Sequence, residues 1–362
     1  SASHAGGNTD PVSASYTIGR GSDAETDHRS YIIPTMETGA FASTLAPLLA
    51  GIVSTVTMVV LLRSRSLPLD KPNERSLHVV PVPRTGGIAI ITGMVAAALW
   101  LRASPSLLVP AAALAMASYL DDRHALPAAV RLLMHLVAAG VFLWLAAGSS
   151  AAALLVVLLL AIAWITNLYN FMDGADGLAG GMAVIGFGTY GLAAWLGGNG
   201  EFEMLAWSIA AAAAGFLIFN FPPAKIFMGD VGSIPLGFLA GAFGVAGWQQ
   251  GLWPLWFPLV VFAPFIVDAT TTLARRLLRG ERVWEAHRQH YYQRLILSGW
   301  SHRRTAWSEY GLMLLCSATA LAGLQQPPAG QFALVFALAL IIAAAMWAID
   351  RRWKRFSGAA HG

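Results

Sequence analysis

From Phe41 onward this chain alternates long apolar runs with short polar breaks, and that pattern restricts its architecture more than any other feature. A membrane-crossing helix needs about 20 mostly apolar residues. Eleven stretches qualify, near 41–62, 86–101, 105–120, 127–147, 151–168, 178–196, 204–221, 232–249, 253–274, 305–323 and 330–349, the second and third being short. The Gly and Pro within them are tolerated in membrane helices. Hydrophobic residues make up 56% of the chain and charged residues only 12%. The charged share is about half that of a soluble domain. A disordered chain, a nucleic-acid-binding arm and an ordinary cytosolic enzyme are thereby excluded. The expected fold is an all-α polytopic membrane protein, one domain over 41–355 with a short tail at 356–362. Residues 1–40 are polar and lack the basic start and apolar core of a signal peptide. They are expected to be an added remnant or a disordered tail, with Met36 as a natural start. The single cysteine, Cys316, sits in an apolar run and excludes an internal disulfide.

Lys and Arg orient the spans. With eleven crossings, twenty of these residues beyond Phe41 fall in one set of alternate loops, and Arg102 alone falls in the other. The first set is expected to be cytoplasmic, which places the N-terminus outside and the C-terminus inside. The cytoplasmic loops are then 63–87, 121–126, 169–177, 221–232 and 275–304. Beyond Phe41 acidic residues collect on the same face, and the outer loops hold only Glu201 and Glu203. The positive-inside rule does not require this, because acids contribute little to it. A cytoplasmic active site does.

Five groups on that face carry chemistry. Asp121-Asp122-Arg123 ends the third span, where adjacent carboxylates are costly without a cation. They read as a solvated helix end or as a metal or proton site, with Arg131 placed to answer the charge or hold a phosphate. Asn167, Asn170, Asp173 and Asp176, each three residues apart, form a polar stripe if the fifth span stays helical. Asn220 and the stretch from Lys225 to Ser233 follow the seventh span. There Asp230, flanked by Gly229 and Gly232, suits a hard cation with oxygen ligands. Gly237 and Gly241 read as helix packing. Asp268 lies within the ninth span and calls for a partner, Arg275 or a bound metal. The 275–304 loop holds eight arginines with His287, His290 and His302, the first two at helical spacing. The 63–87 loop adds Arg75, His78 and Arg84. Acids for a divalent cation, cations for phosphates and amides for a polar head group fit phosphoryl transfer. Their place at a membrane face implies one lipid and one soluble substrate.

These stretches resemble the polyprenyl-phosphate N-acetylhexosamine-1-phosphate transferase family, glycosyltransferase family 4. The resemblance rests on DDR at 121–123, NLYNFMDGADGLAG at 167–180, FMGDVGS at 227–233, AHRQHYYQRL at 286–295 and NERSLH at 73–78, and runs over about 41–350. It implies ten or eleven helices around a cytoplasmic cleft. It also implies Mg²⁺-dependent transfer, with Mn²⁺ as a substitute, from a UDP-N-acetylhexosamine to undecaprenyl phosphate with release of UMP. Under that resemblance Asp230, with Asp173, is the metal ligand, and Asp121 and Asp122 handle the lipid phosphate. Asn167, Asn170, Asp176, Asn220, Phe227, His287 and His290 bind the nucleotide-sugar, Phe227 by stacking on uracil. Arg75, His78, Arg84, Arg131 and Arg288 are the candidates for the lipid phosphate or diphosphate. Implied partners are membrane lipids and a second copy of the chain, and no nucleic acid. The implied location is the bacterial inner membrane. The peptidoglycan translocases of the family carry three consecutive histidines, whereas this chain has His-Arg-Gln-His, which favours the O-antigen and common-antigen branch. His135 stands where many relatives carry Gln.

Two other classes compete. A transporter would place acids in mid-span in both halves, and only Asp268 lies well inside a span. A CDP-alcohol phosphotransferase needs an Ala-Arg pair soon after Asp-Gly, and Asp173-Gly174 is followed by Ala-Asp-Gly-Leu.

Overall fold

The computed structural model describes residues 43–64, 67–70, 72, 77–78, 80–124, 126–146, 151–285 and 287–359, with 122–124 and 359 as backbone. Among the described residues there are thirteen helices and one short two-stranded ladder. The helices are α1 Ala46–Arg63, α2 Gly87–Leu101, α3 Pro105–His124, α4 Ala128–Ala146, α5 Ala152–Phe171, α6 Leu178–Leu196, α7 Gly200–Asn220, α8 Asp230–Gln249, α9 Trp256–Val261, α10 Ala263–Leu278, α11 Tyr291–Leu297, α12 His302–Leu324 and α13 Pro328–Ala359. Strands β1 Leu69–Asp70 and β2 Val82–Pro83 pair antiparallel within the 63–87 loop. Among the described residues seven helices, α1, α4 to α8 and α13, are long and apolar enough to cross a membrane, and the protein is a multi-pass membrane protein. The second and third expected spans are the shorter apolar helices α2 and α3, and the tenth corresponds to α12.

The ninth expected span is broken at Phe262 into α9 and α10. Pro264 has no N–H to bond back to Val260, and its ring crowds the preceding turn. Glu201 and Glu203 fall in the first turn of α7, where Asn199 caps the Phe202 amide at 3.1 Å. The helix dipole accounts for acids there without a site.

Membrane helices bury small residues and turn large apolar ones to lipid. On α1, Ala46, Ala50, Ser54 and Met58 face the protein, while Leu48, Ile52, Val56 and Val60 are exposed. Helix α8 is the centre, with 89% of its span buried against 11% for α13. Its small residues admit α5. A Cβ on Gly237 would lie 2.7 Å from the Tyr169 Cβ, and one on Gly241 2.7 Å from Ile165, so the packing role expected of both glycines holds.

The first turns of α2 and α8 touch through bare backbone. A Cβ on Gly87 would stand 2.3 Å from the Gly232 nitrogen. The Gly87 and Gly86 amides donate to the Met228 and Phe227 carbonyls at 2.9 Å each. Gly87→Ala is therefore expected to lower stability by roughly 1–3 kcal/mol, because backbone on both sides must move. A melting temperature in detergent equal to wild type would contradict this.

Candidate active site

Helix α5 ends at Phe171, so the polar stripe is half helix and half turn. Asn167 and Asn170 lie on its last turns, and Asp173 and Asp176 on the connection to α6. The turn is held in place from α11: the Tyr292 hydroxyl donates to the Phe171 carbonyl at 3.2 Å. A Cβ on Gly174 would lie 2.2 Å from that hydroxyl. Asn170 meets the start of α8, accepting from the Ser233 hydroxyl at 2.7 Å. Gly229, at φ +69°, turns the chain into α8, and a Cβ there would sit 2.3 Å from the Arg84 carbonyl oxygen.

This turn brings Asp173 and Asp230 into electrostatic contact. Asp173 keeps part of its surface exposed, yet its carboxyl is packed round by protein. Burial first, and the Asp230 charge second, push that carboxyl well above the usual carboxylate range, and the Gly229 amide only partly opposes them. The described residues contain no cluster of three or more His, Cys, Asp or Glu suited to a metal, so the site offers two carboxylates.

Asp176 occupies a different junction. Its Oδ1 lies 3.2 Å from His302 Nδ1, at the first residue of α12, and its Oδ2 accepts from the Ala224 amide at 3.0 Å. Burial acts to raise this carboxyl, but the His302 hydrogen bond and charge, the Ala224 amide and His78 together hold it below the ordinary value. Asn220 is buried and spans the same junction. Its Oδ1 accepts from the Gly177 amide and its Nδ2 donates to the Ile226 carbonyl, both at 2.9 Å. The side chain is thus committed to backbone on both sides. Tyr310 adds a bond to the Gly177 carbonyl at 2.7 Å. The Phe227 ring meets His78 edge-on at 4.9 Å, and His78 Nε2 lies 3.7 Å from Asp70.

Residues 287–290 are not helical, so His287 and His290 do not share a helix face as their spacing suggested. Their rings still approach to 4.8 Å. His287 Nδ1 accepts from the Gln289 amide at 3.3 Å, and His290 is held by Asp268. Its Oδ1 accepts from the Tyr291 amide at 3.0 Å, from Thr272 at 3.1 Å and from His290 Nδ1 at 3.1 Å, and its Oδ2 from the Tyr292 amide at 3.2 Å. A carboxylate capping free amides and the positive end of a short helix needs no metal partner. Nor is Arg275 its partner: Arg275 bonds Asp350 at 2.9 Å, and Arg294 does so at 2.7 Å. Burial, the neighbouring His290 and Arg276 lower the His287 imidazole to about 4, leaving it neutral near pH 7. Arg288 is exposed.

One turn back from Asn170 on α5, Asn167 Nδ2 donates to the Ala163 carbonyl at 2.8 Å. Asn167 lies beside His135 of α4, whose buried ring nitrogens have no hydrogen-bond partner among the described residues. One turn earlier, Arg131 lies 3.7 Å from Asp121 Oδ2, while Asp121 Oδ1 accepts from the Leu126 amide. The asparagines of α5 therefore lie between His135 of α4 and Ser233 of α8. Two expected site side chains, Asp122 and Arg75, lie outside the described residues.

His302 is the residue that sequence reasoning missed. It was legible only as one more basic residue of the loop, because its partners lie 126 and 225 residues away.

Comparison with known proteins gives a consistent picture. A profile described as "Glycosyl transferase family 4" matches residues 104–247. The chain is 31% identical over 275 residues, 70% of its own length and 76% of the other's, to a Bacillus subtilis protein named "Probable undecaprenyl-phosphate N-acetylglucosaminyl 1-phosphate transferase". It is 31% identical over 321 residues, 75% and 79% of the two chains, to the decaprenyl-phosphate N-acetylglucosaminephosphotransferase of Mycolicibacterium smegmatis. A phospho-N-acetylmuramoyl-pentapeptide-transferase from Levilactobacillus brevis is 32% identical over 169 residues, 46% of this chain and 49% of that protein.

Proposed function

This chain belongs to glycosyl transferase family 4, and on that premise we propose that it transfers a sugar-1-phosphate from a UDP-sugar to a polyprenyl phosphate, releasing UMP. In its finer form the acceptor is undecaprenyl phosphate and the donor a UDP-N-acetylhexosamine. UDP-N-acetylglucosamine is the first to test, since the Bacillus and Mycolicibacterium relatives are named for that sugar. The site is proposed to face the cytoplasm from a bacterial inner membrane, and the product to start an O-antigen or related surface polysaccharide.

The observation that carries this reading is the Asp173–Asp230 pair at the foot of α8. Magnesium is commonly held by one or two carboxylates together with waters and substrate phosphates. Two acids whose charges repel, one packed into protein, fit such an ion. When bound, Mg²⁺ would offset the charge of the donor diphosphate.

The other residues bind and orient. Asp121 holds Arg131 toward the lipid phosphate, with Asp122 beside it in sequence. Asn170 and Ser233 fix α5 against α8, and Asp268 fixes His290. Arg75, His78, Arg84 and Arg288 are assigned to phosphates on sequence grounds. A lipid phosphate monoester, with a second pKa of about 6, is largely ionised at neutral pH. Its oxygen attacks the phosphorus next to the sugar, a new P–O bond forms, and UMP leaves with the electron pair of the broken one. Phosphorylated enzyme trapped with UDP-sugar alone would replace this direct attack with a covalent mechanism.

The test is UMP release by purified protein with undecaprenyl phosphate and a panel of UDP-N-acetylhexosamines. Release is expected only with lipid present, to stop with EDTA and to return with Mg²⁺ or Mn²⁺. A folded protein that releases no UMP from any donor of the panel would leave a rarer sugar donor or a transporter, and ligand transport would then be measured.

A further inference from the structure

The His302 side chain joins three segments distant in sequence. Its Nδ1 lies 3.2 Å from Asp176 Oδ1 and its Nε2 3.3 Å from the Leu77 carbonyl oxygen. Asp176 in turn binds the Ala224 amide at 3.0 Å. One imidazole thus ties the turn after α5, the turn before α8 and the His78 segment to the first residue of α12. The ring is only 21% exposed and the carboxylate 14%. Both ring nitrogens face oxygen acceptors, so both carry protons when the arrangement is complete. The cation suits that environment: burial opposes it, but Asp176 and the Leu77 carbonyl hold the His302 imidazole above its ordinary value.

Among the described residues, the other charged groups near the ring have partners of their own. His78 faces Asp176 and pairs with Asp70 at 3.7 Å. Arg303 turns to the Pro222 carbonyl at 3.1 Å, and Arg304 lies over the Trp300 ring at 4.1 Å. When the ring is neutral, its Nδ1 has another partner, the Asp176 amide at 3.3 Å, which donates to it. Losing the proton therefore leaves Nδ1 the amide as its partner and releases the carboxylate from its cation.

We propose that His302 is a positioning residue for the nucleotide end of the site: as imidazolium it holds Asp176 and the turns around it in the donor-binding arrangement, so that donor affinity falls as pH rises while the transfer step is little affected. This rests on the assignment of Asp176 to the nucleotide-sugar. The sign follows from the shift. A histidine whose folded value is raised contributes its interaction fully below about 6.5 and loses it as pH rises through the raised value.

The experiment measures UMP binding by calorimetry and KM and kcat for the UDP-sugar, from pH 6.5 to 9, on the full chain in detergent. In the wild type, KM and the UMP dissociation constant should rise together toward alkaline pH. His302→Ala should raise both by roughly tenfold at pH 6.5, equivalent to about 1.4 kcal/mol, flatten their pH dependence and leave kcat within about twofold. His302→Gln, a neutral donor, should recover much of the affinity yet remain flat with pH. Melting temperatures show that each variant is folded, and Gln carries the test if Ala does not fold. Wild-type affinity and pH dependence in both variants would overturn the proposal while leaving the transferase reading intact. Wild-type protein that binds no UMP at any pH would remove the nucleotide reading and this proposal with it.

Discussion

Replacing Asp230 with asparagine is expected to reduce UMP release by at least about 10²–10³-fold, the scale on which single preorganised electrostatic contacts act in catalysis. The argument needs two statements about one atom group. In the free protein the Asp230 charge is unfavourable, because it contributes to pushing the buried Asp173 carboxyl up. In the working enzyme that same charge is required to hold the divalent cation against the diphosphate. Asparagine keeps the size of aspartate, and relief of the repulsion with Asp173 offsets the lost attraction between a first-turn charge and the dipole of α8. The variant is thus expected to lose turnover without losing stability, and its melting temperature in metal-free buffer should equal or exceed that of the wild type. Measuring UMP release beside a melting curve separates the two effects. Turnover near the wild-type rate would remove the carboxylate pair from the mechanism.

Asp268→Ala is expected to have the largest effect on stability. The carboxylate is buried and accepts four hydrogen bonds, two of them from the first amides of α11. Removing one member of a buried, hydrogen-bonded pair costs roughly 3–5 kcal/mol, because the partners left behind cannot be rehydrated. Here the orphaned groups are two backbone amides, the Thr272 hydroxyl and the buried His290 ring. The damage should also spread to the site, since Tyr292 on α11 supports the Phe171 carbonyl and presses on Gly174. Thermal unfolding in detergent and the affinity for UMP are expected to fall together. A fall in stability with unchanged nucleotide affinity would show that α11 does not support the α5–α6 turn. An unchanged melting temperature would show that the cap contributes little.

Membrane character and the places where chemistry gathers were determined by the sequence alone. Bilayer thickness sets the length of an apolar run, and the cost of intramembrane charge confines Asp173, Asp176 and Asp230 to the ends of those runs. The family motifs at 167–180 and 227–233 are likewise contiguous, so each is complete within a single stretch. What sequence could not determine is which end residues pair. Asp268 appeared to need Arg275 seven residues away, but the tertiary structure gives it the amides of α11, because a free helix start offers several aligned donors at once. The histidines at 287 and 290 come together without a helix, His290 held by that same carboxylate and His287 by the Gln289 amide. The break at Phe262 follows from a local rule, yet apolar length hid it. His302 became part of the site only when α12 was packed beside the α5–α6 turn. Contacts of this kind join segments more than a hundred residues apart, and their partners are selected by helix packing, which no local spacing in the chain encodes.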